Sequence, residues 1–184
     1  FTGYDPENGF RCGTVIATSS DPLLLNWTKV KGGEPVIKDA DAPGWAPYKS
    51  APFKDQKPYK VFDSFIWKED GVYYLITGGH EPNEVTGRRY REMYLFKCEN
   101  DNLEDWEYVK RFLDHDIFKE THDDGACPYF MPIEDKYLLL HFSHRCVPKY
   151  LIGEYNKDTK LWKIKTGECL NSKNVIHEHI LCTY

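Results

Sequence analysis

The side chains best placed to do chemistry in this sequence are carboxylates near strand starts. Asp63 stands alone in the run Val61-Phe62-Asp63-Ser64-Phe65, and Asp123 and Asp124 follow His122 and precede Gly125-Ala126-Cys127-Pro128. Acids at the start of strands that line a cavity can converge on a ligand. An adjacent pair can supply a proton donor if burial raises one pKa toward the working pH, which makes Asp124 a candidate acid. The competing readings are a turn cap for Asp63 and a solvated loop for the 123–124 run. His141, His144 and Cys146, or His177 and His179, would suit zinc only with a complete ligand set, so no metal or cofactor is expected. Trp27, Trp106 and Trp162 could stack on sugar rings, although recurrence at equivalent positions favours packing.

Short runs rich in Tyr, Phe, Val and Ile, punctuated by Gly, Pro, Asn and Asp, must position these groups, and that is strand-and-turn chemistry. Ser64-Phe65-Ile66-Trp67, the turn signal Glu69-Asp70-Gly71 and Val72-Tyr73-Tyr74-Leu75-Ile76-Thr77 form one hairpin. Tyr129 to Ile133, Glu134-Asp135-Lys136 and Tyr137 to Leu140 repeat it, aligning Glu69 with Glu134. A second element follows each hairpin: an apolar strand, a polar loop, then a Trp opening the next strand. Its copies run from Leu95 to Trp106 and from Leu151 to Trp162, and a third, from Val15 to Trp27, stands alone near the start. Gly78-Gly79 reads as a turn.

Hairpin plus hairpin makes four strands, the repeating unit of a propeller blade. The expected fold is therefore all-β, an incomplete β-propeller with about two and a half blades in this chain. We divide it into a half blade at 1–37, a Pro-rich crossing at 38–59, blades at 60–113 and 114–166, and the start of the next blade at 167–184. So few blades would leave sheet faces bare, so blades on another chain or a removed segment are expected as partners.

The 184 residues fit one domain, and 41% hydrophobic content can fill a core. A formal charge of −5, with Lys and Arg scattered among acids, gives no electrostatic reason to approach phosphate backbones or anionic lipid. Nucleic acid and membrane are not expected as partners. Six cysteines at wide spacing permit bridges without requiring them. The start, Phe1-Thr2-Gly3-Tyr4, has neither an initiator Met nor a signal peptide and reads as a mature or cut product. Asn26-Trp27-Thr28 is a glycosylation sequon and tilts the expected location toward the secretory pathway or the exterior, with the cytoplasm still open.

Taken together these motifs resemble glycoside hydrolase family 32, the invertases, levanases and related fructosidases. Phe1-Thr2-Gly3 is similar to the family's Tyr-Thr-Gly strand end, and Ser20 to Trp27 resembles the segment before its Trp-Thr-Lys strand. Val61 to Gly79 looks like the blade opened by Arg-Asp-Pro, Glu99 to Trp106 matches a family loop, and Ala126-Cys127-Pro128 stands where Glu-Cys-Pro is usual. The resemblance implies that the incomplete propeller is a five-bladed one, with a retaining mechanism, three carboxylates and a fructoside or related sugar as ligand. Asp63 matches the transition-state stabiliser and a substrate contact, though Phe62 and Ser64 replace the flanking Arg and Pro. Ala126 occupies the acid/base place. The nucleophile's first-blade motif would precede Phe1; Asp5, in Tyr4-Asp5-Pro6-Glu7-Asn8-Gly9, imitates that motif but reads better as a turn. The function expected is that of a relative of β-fructofuranosidases with hydrolysis weakened or lost. The alternative is a non-catalytic carbohydrate-binding or structural propeller module.

Overall fold

The structure, a computed structural model, describes residues 2–4, 11–38, 62–82, 89–113, 123, 125–143 and 147–169. These residues form short antiparallel strands, and the one helical element among them is a single 3₁₀ turn at Val30–Gly33. The chain divides into two compact units. The first is Phe1–Thr77 with Tyr94–Lys110, and the second is Gly78–Met93 with Arg111–Tyr184.

In the first unit, β1 (Thr2–Tyr4) pairs with β2 (Arg11–Thr14), β3 (Ala17–Thr18) pairs with β4 (Thr28–Lys29), and β5 (Ile37–Lys38) returns to β2. The apolar strand expected to open at Val15 is thus broken, and β3 begins only at Ala17. Backbone bonds from Val30 N–H to the Ile16 carbonyl and from Val36 N–H to the Thr14 carbonyl, both 2.9 Å, hold the break together. Next come β6 (Phe62–Glu69) and β7 (Val72–Gly78), joined by Asp70 (φ 52°) and Gly71 (φ 84°). Two consecutive left-handed residues are what a tight hairpin turn matched to strand twist requires, and Asp-Gly supplies them cheaply. The chain then makes an arm, β8 (His80–Pro82) paired with β9 (Arg89–Arg91), that belongs to the second unit. Gly78 and Gly79 lead into this arm and do not close a turn. β10 (Tyr94–Cys98) and β11 (Glu107–Arg111) complete a sheet of order β11-β10-β7-β6. Ile37, Leu75, Tyr94 and Phe96 form its buried core, with Ile16, Val36, Trp106 and Tyr108 packed against them.

The second unit holds a four-stranded meander, β12 (Ala126–Ile133), β13 (Lys136–Phe142), β14 (Lys149–Asn156) and β15 (Leu161–Cys169), in that spatial order. Its core is aromatic. Phe130 lies 4.9 Å from Phe112, 5.0 Å from Tyr137, 5.3 Å from Tyr155 and 5.6 Å from Trp162, measured between ring centroids. Edge-to-face and offset contacts at such spacings add to the area these rings bury.

The two hairpins repeat residue for residue. β6 and β12 are both eight residues long and β7 and β13 both seven, and the second copy lies 64 positions after the first (126 − 62 and 136 − 72). Matching Glu69 to Glu134 by composition is one residue out: Asp70 (φ 52°) corresponds to Glu134 (φ 51°). Backbone conformation at the turn, rather than residue type, sets the match. The all-β, four-stranded-sheet architecture of an incomplete propeller is the fold class that the sequence led us to expect.

Candidate functional site

Asp63 is the second residue of β6, an edge strand of its sheet, and is partly exposed. Its backbone is left-handed, at φ 43°. Cys127, the second residue of β12 and its counterpart under the 64-residue repeat, has φ 48°. Each such residue costs roughly 1–2 kcal/mol relative to ordinary extended backbone, somewhat less for Asp, and such strain gathers where geometry matters. In β12 the kink is visible as a bulge: Ala126 pairs with Phe142, and regular pairing resumes only at Tyr129 with Leu140. Both edge strands therefore enter their sheets through the same bend, which redirects the residues beside it.

Beside β6, within the first unit, lies a groove of about 460 Å³ walled by Thr14, Val15, Ile16, Ala17, Trp27, Ser64, Ile66 and Leu75. Asp63 is not one of its walls. The hydroxyls of Thr14 and Ser64 meet at 3.0 Å, and Trp27 is 56% exposed. Trp27 and Trp106 make the same lock, each indole N–H donating to the carbonyl three residues earlier, at 2.7 Å to Leu24 and 2.9 Å to Leu103. Leu24 (φ 54°) and Leu103 (φ 59°) are both left-handed to allow it. Packing accounts for Trp106 and Trp162. The ring of Trp27 is open to solvent.

In the second unit the acid near Ala126 is built into a buried charge network. Asp123 is fully buried, and its Oδ2 accepts from Arg91 Nη1 at 2.9 Å and from Lys149 Nζ at 3.0 Å. Its Oδ1 accepts from the Gly125 backbone N–H at 3.1 Å, which fixes the turn that delivers Ala126 to β12. Gly125 is itself left-handed (φ 58°), and an added Cβ would meet Arg91 Cγ and Cδ and Met93 Cε at 3.0 Å. Burial works to raise the pKa of Asp123, but the positive charges beside it, Arg91 and Lys149, outweigh it and hold the carboxyl below its ordinary value. It is an anchored anion and not a proton donor.

His141, also buried, completes the network: Arg91 Nη1 lies 2.6 Å from its Nε2. Because a guanidinium can only donate, Nε2 must be the acceptor, and the ring proton sits on Nδ1, 3.3 Å from the Phe142 carbonyl oxygen. Burial first, and the charge of Arg91 second, push the imidazole down to about 4, in keeping with that neutral tautomer.

Asp5, His122, Asp124, His144, Cys146, His177 and His179 lie outside the described residues. Arg91 and Lys149 escaped the sequence reading because a buried cation carries no local signature. Arg91 sits in the polar run Arg88 to Glu92, which reads as a solvated face.

Antiparallel four-stranded sheets, repeated in register and each opening on a kinked edge strand, define the class: all-β blades of the propeller type. Among solved structures, that fold is shared with a Bombyx mori GH32 β-fructofuranosidase, determined as a mutant in complex with sucrose. The match has a TM-score of 0.55 at 20% identity and covers 92% of this chain but 33% of that one, so the chain spans about a third of this neighbour. A bifunctional GH43-CE protein of Bacteroides eggerthii aligns over 83% of this chain and 24% of its own at 14% identity, but at a TM-score of 0.27 it carries no argument. No protein-family model and no curated protein sequence matches the chain.

Proposed function

We propose that this chain is a segment of a GH32-like protein related to β-fructofuranosidases in which hydrolysis of fructosides is weakened or lost. The observation that carries the reading is Ala126, the first residue of β12 and 3% exposed, at the place where the resemblance puts the acid/base glutamate. Its methyl group transfers no proton, and Asp123 nearby is ionised and held by two cations. Asp63 keeps the stabilising and sugar-contacting role, and Asp124 is left as the displaced acid. The remaining blades come from another chain or segment, and the Asn26 sequon supports a location in the secretory pathway or beyond.

Loss of a general acid costs roughly 100- to 10,000-fold in rate on unactivated substrates, and far less on substrates whose leaving group needs no proton. The test uses the protein assembled with its remaining blades, comparing sucrose and fructan with a fructosyl fluoride. Silence on sucrose with turnover of the fluoride, and recovery on sucrose in Ala126→Glu, is the expected pattern. Rapid sucrose hydrolysis by the unaltered protein would overturn it.

A second reading, a non-catalytic carbohydrate-binding module, is favoured by the exposed Trp27 on its groove. An indole face beside hydroxyl groups suits a sugar ring. On that reading Trp27→Ala lowers fructan affinity severalfold, measured by calorimetry, while Asp63→Asn leaves it unchanged.

A further inference from the structure

The Arg91–Asp123–His141–Lys149 network joins four separate pieces of the second unit at one dry point. Arg91 ends β9 in the arm, Asp123 stands in the turn before β12, His141 lies late in β13, and Lys149 opens β14. The two hydrogens of Arg91 Nη1 are divided between Asp123 Oδ2 and His141 Nε2. The second of these contacts exists only while Nε2 is unprotonated. A proton there would turn the acceptor into a donor and set two cations 2.6 Å apart. The anion that could compensate is already committed: Asp123 Oδ1 lies 4.0 Å from His141 Nδ1 and takes the Gly125 N–H. The charged groups around the imidazole among the described residues are Arg91 from β9, Asp123 from the turn and Lys149 from β14. Glu92, next along from Arg91, is buried with its carboxylate accepting from the Met93 N–H at 3.1 Å.

We propose that His141 is an acid-operated latch: uptake of one proton at Nε2 breaks its contact with Arg91 and sets the two cations against each other, loosening the paired strands β8 and β9 while the β12–β15 sheet stays folded. The sheet keeps its own aromatic core around Phe130, to which His141 does not belong. The inference stands on the geometry of the second unit and does not depend on the proposed activity.

The direction of the pH effect follows from linkage. With the arm closed the imidazole is held near 4, and with the arm open it returns toward about 6.5. Between those values the open state binds more protons than the closed one, so acid favours opening, by up to about tenfold per pH unit. Below about 4 both states are protonated and the trend stops.

Amide hydrogen exchange on the full chain from pH 7 to 4.5, corrected for intrinsic rates, tests this. The expected result is that protection of the arm amides and of Gly125 falls up to about tenfold per unit below pH 6.5, while β13 and β14 keep theirs. His141→Gln, which keeps an acceptor that does not titrate, should flatten the slope. A flat profile in the unaltered chain, a slope that persists in His141→Gln, or arm and sheet losing protection together would each overturn the latch. If His141→Gln does not fold, the comparison of arm with sheet in the unaltered chain decides alone.

Discussion

Asp123 concentrates the most consequence in a single side chain. Its carboxylate is bonded to both Arg91 and Lys149, so Asp123→Asn takes a shared counter-ion from two buried cations. Removing one partner of such a buried ion set costs about 3–5 kcal/mol. We expect a loss of that order in urea unfolding at pH 7. Trp162 tests the converse. Its indole N–H is buried with no acceptor, whereas Trp106 donates to Leu103, so Trp162→Phe removes an unsatisfied donor while Trp106→Phe removes a made bond. The hydrogen-bond part of the change, roughly 1 kcal/mol, should therefore have opposite signs at the two positions, read from chemical denaturation of each variant. At this scale the sequence placed Asp63 and Ala126 at strand starts, as the structure does. Asp63 and Ala126 stood out through their neighbours, but the fate of Asp123 depended on cations 32 and 26 positions away in the chain, a separation that no local pattern reports.

Elements were legible wherever alternation and turn chemistry coincide. Both hairpins stand close to where the Asp70-Gly71 and Glu134-Asp135 turns put them. The arm of β8 and β9 was missed because its strands are three residues each and carry charge and proline instead of an apolar rhythm. Glycine distinguishes two kinds of constraint within these elements. A Cβ on Gly153 would stand 2.2 Å from the Lys163 carbonyl oxygen across the β14–β15 pair, whereas one on Gly71 meets nothing within 4 Å and faces only the strain of φ 84°. Gly71→Ala should cost about 1–2 kcal/mol. Gly153→Ala must push apart two paired strands, and we expect a clearly larger fall in melting temperature, measured side by side by calorimetry.

On the scale of the whole molecule, the two-and-a-half-blade count came from repetition, which survives even where a register is misread by one residue. What repetition could not show is which faces are left bare. Tyr129, Met131 and Ile133, alternating along β12, are 46%, 39% and 43% exposed, a contiguous apolar stripe on an edge strand. Such stripes mark surfaces that associate. Met131→Lys should reduce concentration-dependent scattering and binding of a hydrophobic dye, yet change unfolding free energy by no more than about 0.5 kcal/mol, as surface substitutions do.

The interleaving of the two units along the chain has a consequence for biosynthesis. The arm is translated between strands of the first unit, yet Arg91 must wait 32 residues for Asp123 to emerge. Neither unit can be finished before the other has begun, so a nascent chain that has emerged through β11 can complete the first four-stranded sheet while Arg91 still awaits Asp123.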